Sequence, residues 1–134
     1  MSDELLKKGM EIRRSVLGDE YVNKATAVAP DAFGADFQKL VGEYCWGACW
    51  GRDGLERKHR SLVVLSILGA LGRSEEFALH FRAAFTNNDC TLEELEDTLT
   101  HIAVYAGIPA GVESFRIARR VIAEEQAKAE GGAA

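Results

Sequence analysis

A chain of 134 residues, 47% hydrophobic and 28% charged, is sized for a single domain, and its composition excludes a disordered, fibrous or collagen-like protein. A formal net charge of -5 excludes the electrostatic footprint of a nucleic-acid binder or of a protein held on an anionic membrane surface. Three cysteines, Cys45, Cys49 and Cys90, are an odd number without framework spacing, so a disulfide-stapled scaffold is excluded and reduced thiols are expected.

Acids and bases run through the opening MSDELLKKGMEIRR, which lacks the basic-then-apolar order of a signal peptide. The longest apolar run, Leu62 to Leu71, is about half of what spans a bilayer. Cytoplasmic residence without a membrane segment is the expectation.

Only Pro30 and Pro109 interrupt the chain, and apolar residues recur at three- and four-residue intervals, so the spacing predicts helix after helix. The first begins at Ser2 or Asp3 as N-cap and ends at Gly18, with Leu6, Met10, Arg13 and Leu17 along one side. A short segment covers about Glu20 to Val28. The next helix starts near Pro30 or Asp31 and carries Phe33, Phe37, Leu40, Val41, Tyr44 and Cys45 before the aromatic end CWGACW; Gly51 to Gly54 then turn the chain. Residues 55 to 71 place their charges early and become apolar on nearly every side, which predicts a central helix stopped by Gly72.

Ser74 with Glu75 and Glu76 reads as the capped, acid-rich start of a further helix, and a central helical hairpin is implied. Asn87, Asn88 and Asp89 break that helix. Thr91 and Glu94 form a capping box for the next, whose stripe is Leu95, Leu99, Ile102 and Ala106, ended by Gly107. Pro109 suits a first helical turn, and the last helix carries Val112, Phe115, Ala118 and Ile122 before a frayed tail. The fold class is all-α, about six helices in one domain over residues 1–134.

Phe77, His80, Phe81 and Ala84 stand at i, i+3, i+4 and i+7, which puts an imidazole inside an apolar stripe. Glu76 and Arg73 lie one and about two turns earlier on the same edge, a base, an acid and a cation in a row that can tune a histidine pKa. From the residues alone, a histidine hydrogen-bonded at a packing seam stays open beside the catalytic reading. In WGACWGR, Trp46, Trp50 and Arg52 suit a carboxylate ligand, guanidinium for the anion and indoles against water; an aromatic anchor with a solvated arginine is the alternative.

Cys45 and Cys49, four apart, are not the C-x-x-C of a thiol redox pair, and no histidine nearby completes a zinc set. His101 and Tyr105 stand one turn apart beside the Leu95, Leu99 and Ile102 stripe, where they reach either a cleft or an oligomer contact. In ERKHR, His59 reads as solvated, and Arg60 is the more interesting cation because the chain turns apolar after it. Dinucleotide, Walker, serine-hydrolase and zinc-protease motifs do not occur.

The segments GMEIRRSVLGDEYV, WGACWGRDGLERKHRSLVVLSILGALGR, EEFALHFRAAFTNN and HIAVYAGIPAGVESF together resemble the carboxymuconolactone decarboxylase family from about residue 9 to about residue 122. The resemblance implies an alkyl hydroperoxidase D-like helical subunit forming trimers or hexamers, with no metal or organic cofactor. It implies decarboxylation of 4-carboxymuconolactone, a lactone dicarboxylate, to the β-ketoadipate enol-lactone in protocatechuate catabolism. On that reading His80 is the proton donor, Glu76 holds the imidazole protonated, and Arg73, Arg52 and Arg60 address carboxylates and the developing oxyanion, with Trp50 and Tyr105 as walls.

Peroxidases of the wider superfamily carry C-x-x-C-x-x-x-H. With the histidine on His80, their cysteines fall on Arg73 and Glu76, which cannot exchange thiols. His59, Asp89 and His101 depart from the family pattern, which leaves a related lactone or carboxylate, or a non-catalytic helical ligand-binding assembly, as the other readings.

Overall fold

The structure, a computed structural model, describes residues 2–27, 29 and 32–132. Among the described residues it contains seven α-helices, one π-helical segment and no strand. The chain divides into two compact units, residues 1–57 and 58–134.

In the first unit, α1 (Asp3–Leu17) is capped by Ser2, whose hydroxyl accepts from the Leu5 amide at 3.1 Å, with Asp3 and Glu4 complementing the dipole. Gly18, at φ 91°, supplies the left-handed turn into α2 (Asp19–Ala25). Arg14 joins the two helices by donating to Asp19 at 3.3 Å and Asn23 at 2.7 Å. The expected short segment is helical over its first part, and its end at Val28 lies outside the described residues. So does the expected helix start at Pro30 or Asp31; the described α3 is Ala35–Val41.

From there the helix passes directly into a π-helix, Gly42–Cys49, where the periodicity predicts one continuous α-helix. The reason is contact with α1 at backbone range. A Cβ on Gly9 would overlap the Gly42 carbonyl oxygen and stand 2.8 Å from the Gly47 nitrogen, and a Cβ on Gly47 would stand 2.7 Å from the Leu5 carbonyl oxygen. Within it Gly42, Trp46 and Gly47 are buried and Tyr44 is exposed, and Phe33, Phe37 and Leu40 ahead of it are exposed too, so the expected apolar stripe does not form the buried face.

Gly9→Ala is therefore expected to destabilise the protein by about 1–3 kcal/mol, since backbone on the far side cannot give way. The drop should show in urea unfolding followed by tryptophan fluorescence. An unchanged midpoint would disprove the close approach.

The second unit is entered through α4 (Arg57–Leu71). Only Ser61, Leu65 and Gly69 are fully buried on it, and Val63, Ile67 and Leu71 are exposed, so its predicted all-round burial is met on one face. The chain turns at Gly72, φ 72°, into α5 (Ser74–Thr86). Ser74 is not the N-cap. Arg73 occupies that position without a side-chain cap bond, and the Ser74 hydroxyl, already within the helix, donates to Glu113 at 3.4 Å.

Asn87 closes α5, and Asp89 takes the left-handed conformation at φ 60°. The capping box opens α6 (Leu92–Ala106) as expected: Thr91 Oγ1 accepts from the Glu94 amide at 3.1 Å and Glu94 Oε1 from the Thr91 amide at 2.8 Å. Leu95, Leu99 and Ile102 are buried, whereas Ala106 is exposed in the turn before Gly107.

The last helix, α7 (Ile108–Gly132), takes Pro109 into its first turn. It buries Gly111, Ser114, Ile117, Ala118 and Val121, leaving Val112 exposed and Phe115 and Ile122 half-buried. Small residues decide this face, because Gly111 lies directly against Ala103 of α6. The helix also continues past Ile122 to Gly132, where a frayed tail is predicted from composition.

Leu65, Phe77, Phe81, Leu95, Leu99, Ile102, Ile117 and Val121 share one core cluster, with α7 packed against α5 and α6. No described helix is long and apolar enough to cross a membrane.

Candidate active site

His80 projects from α5 between Phe77, Phe81 and Ala84, all buried. The residue as a whole is half-buried, but its Nδ1 atom is shut off from solvent. Burial pushes the imidazole pKa down to about 4, outweighing the upward pull of the Glu76 carboxylate one turn earlier. Glu76 thus acts in the direction read from the sequence, yet it does not hold the ring protonated: at neutral pH the imidazole is neutral. Desolvation of the charged form is the larger effect because Glu76 itself is exposed.

Arg73 is exposed just ahead of α5, and no carboxylate among the described residues lies within ion-pair distance of it. It lines a narrow cleft with Leu68, Phe77, Glu113 and Ile117. Arg82, two residues after His80, is committed to structure, pairing with Glu125 and, at 3.3 Å, with Glu124 of α7.

Arg60 is half-buried in the second turn of α4. Its neighbour Lys58 pairs with Glu94 at 3.1 Å, and His59 is exposed. Tyr105 is exposed near the end of α6, stacked on His101 with ring centroids 6.1 Å apart. The His101 Nδ1 lies 3.0 Å from the Asp97 carbonyl oxygen of its own helix.

Trp50 and Arg52 belong to the first unit. Trp46 is buried and Trp50 half-buried, their rings 5.1 Å apart and tilted by 35°. Arg52 follows on an exposed turn, its amide donating to the Cys49 carbonyl at 3.2 Å. Arg60, Arg73, Glu76, His80 and Tyr105 belong to the second unit, where Glu76 and His80 interact along one helix edge. A separate apolar cavity of about 220 Å³ is lined by Phe81, Leu95, Leu99 and Phe115 with Glu96 and Arg119, and none of the predicted residues faces it.

One charged residue was not singled out by sequence reasoning. Arg13 is only 6% exposed, and its guanidinium donates to Gln38 Oε1 at 3.3 Å with no carboxylate within ion-pair distance among the described residues. The signal was its place in the apolar line of α1 beside Leu6, Met10 and Leu17.

Residues 35–120 match the carboxymuconolactone decarboxylase family, and with its all-helical fold the chain belongs to that family. It is 42% identical over 122 residues, 90% of each chain, to 4-carboxymuconolactone decarboxylase of Acinetobacter baylyi. It is also 37% identical over 118 residues, 88% of this chain and 81% of the relative, to nitrosuccinic acid decarboxylase npaB of Metarhizium robertsii.

Proposed function

We propose that this protein decarboxylates 4-carboxymuconolactone to the β-ketoadipate enol-lactone and carbon dioxide in the cytoplasm, without a metal or organic cofactor, residues 1–134 working as one domain. The observation that carries the reading is 42% identity along 90% of both chains to a relative of that name.

The chemistry suits the residues available. The carboxylate to be lost sits on the γ carbon of an unsaturated lactone, so the electrons released with carbon dioxide delocalise through the ring alkene onto the lactone carbonyl. The substrate is its own electron sink. The protein supplies orientation, donors for the developing oxyanion and a proton for the α carbon.

His80 is the proton donor in this scheme. Neutral before substrate binds, it is recharged when the substrate's two carboxylates arrive, since neighbouring anions raise an imidazole pKa and add to the pull of Glu76. Arg52, Arg60 and Arg73 address the carboxylates and the oxyanion, and Trp50 and Tyr105 wall the site. At least one arginine takes the side-chain carboxylate, because tight pairing to the departing one would stabilise the ground state.

A homo-oligomer, trimer or hexamer, belongs to the same proposal. Apolar side chains stand exposed along α4 at Val63, Ile67 and Leu71 and around the α6–α7 junction at Val104, Tyr105, Ile108 and Val112, the kind of surface that subunit contacts cover.

The similarity to nitrosuccinic acid decarboxylase favours a second reading, a paralogue acting on a different dicarboxylic acid. Purified protein mixed with 4-carboxymuconolactone should show ultraviolet loss of substrate and stoichiometric carbon dioxide release. No turnover by folded protein would overturn the first reading, and turnover of nitrosuccinate alone would select the second.

A further inference from the structure

We propose that Cys45 and Cys49 form a reversible dithiol–disulfide couple on the π-helix, a site of two-electron oxidation separate from the decarboxylase chemistry. In an α-helix, with 3.6 residues per turn, a residue four positions on overshoots one turn, whereas one three positions on falls short of it. The π ladder instead closes on the fifth residue, and here the Trp50 amide donates to the Cys45 carbonyl at 3.0 Å. The fourth residue then falls just short of a turn. A C-x-x-x-C in this register is spaced around the axis much as a C-x-x-C is in an α-helix, so the spacing that excludes a redox pair in an α-helix no longer does so.

Two further observations support the couple. Both thiols are exposed, and Cys49 is close enough to act electrostatically on Cys45. The buried Arg13 guanidinium, with no carboxylate of its own among the described residues, acts on Cys45 as well and favours an anionic sulfur there. Burial and then Cys49 nevertheless push the Cys45 thiol above its ordinary value, so the couple reacts slowly and faster at mildly alkaline pH.

With hydrogen peroxide as oxidant, one thiolate attacks an oxygen, the O–O bond breaks, and a sulfenic acid and one water result. The second thiolate attacks that sulfur, the S–S bond forms, and the sulfenic oxygen leaves as a second water. Two electrons pass from the sulfurs to the peroxide, and the two thiol protons end in the two waters. A dithiol reductant reverses the change.

The chain's two tryptophans, Trp46 and Trp50, lie within and beside the bridged turn, so indole fluorescence reads the site directly. Cys90 is the internal control: buried, its thiol pushed up to about 11 by burial, and donating to the Lys58 and Asn88 carbonyls at 3.7 and 3.8 Å. Intact protein held with excess hydrogen peroxide at mildly alkaline pH should lose the mass of two hydrogens and give a linked Cys45–Cys49 peptide. Its fluorescence should shift, and dithiothreitol should restore it.

Cys49→Ser should abolish the linkage, and Cys90→Ser should leave it intact. A disulfide to Cys90 or between chains would overturn the proposal. So would Cys45 and Cys49 remaining fully alkylatable after free cysteine in the same solution has been consumed.

Discussion

Replacing His80 by glutamine is expected to lower kcat for 4-carboxymuconolactone by roughly 10²–10⁴-fold with little change in KM, the usual contribution of a positioned acid–base group. Glutamine keeps much of the volume and hydrogen-bonding capacity of the imidazole but cannot carry a proton to carbon. The split between kcat and KM matters because the proposed scheme assigns substrate binding to Arg52, Arg60 and Arg73, which the substitution leaves in place. Steady-state ultraviolet assays of the folded variant provide the measurement. A kcat close to that of the unaltered protein would remove His80 from the mechanism, and an effect confined to KM would make it a binding residue instead.

The same residue should make the protein acid-sensitive. Its pKa is about 4 when folded against an ordinary 6.5, so the unfolded chain binds more protons between those values and stability falls as pH drops through that window. The loss begins near pH 6.5, is complete below about pH 4 and amounts to at most roughly 3 kcal/mol, the half-buried ring tempering it. Carboxylates held down by partners, such as Glu94 by the Thr91 backbone and then Lys58, add their own acid loss lower in the range. Urea unfolding at neutral pH and again near pH 4.5 separates the two, because H80Q should lack the histidine share. Equal losses in both proteins would mean that the ring is not desolvated as its position implies.

What the sequence made legible was local. The Thr91–Glu94 box, the Ser2 cap, the glycine stops at 18, 72 and 107 and the stripe of Leu95, Leu99 and Ile102 depend on neighbours a few residues away, and the structure has each of them. What escaped depended on distant contacts. The π register is tied to Gly9 and Leu5 pressing on Gly42 and Gly47, more than thirty positions along the chain, and α7 turns its small residues inward because Gly111 meets Ala103. The site divides similarly: the placement of His80 among apolar neighbours and its coupling to Glu76 follow from helical spacing, but the balance between that coupling and desolvation does not. Arg13 was visible as a charge in an apolar line, and only packing gave that oddity its weight.

The Arg82 pairs with Glu124 and Glu125 bear on where this protein can be cut. The family match stops at residue 120, so a chain trimmed to the matched segment would keep Arg60, Arg73, Glu76, His80 and Tyr105 but discard both carboxylates that hold the helix two residues beyond His80. Arg82 is more buried than exposed, and stripping its partners would leave a charge that must find water, drawing that turn of α5 outward. Glu124 and Glu125 of α7 thus support the helix that carries His80, and a fragment that ends with the family match would lack that support.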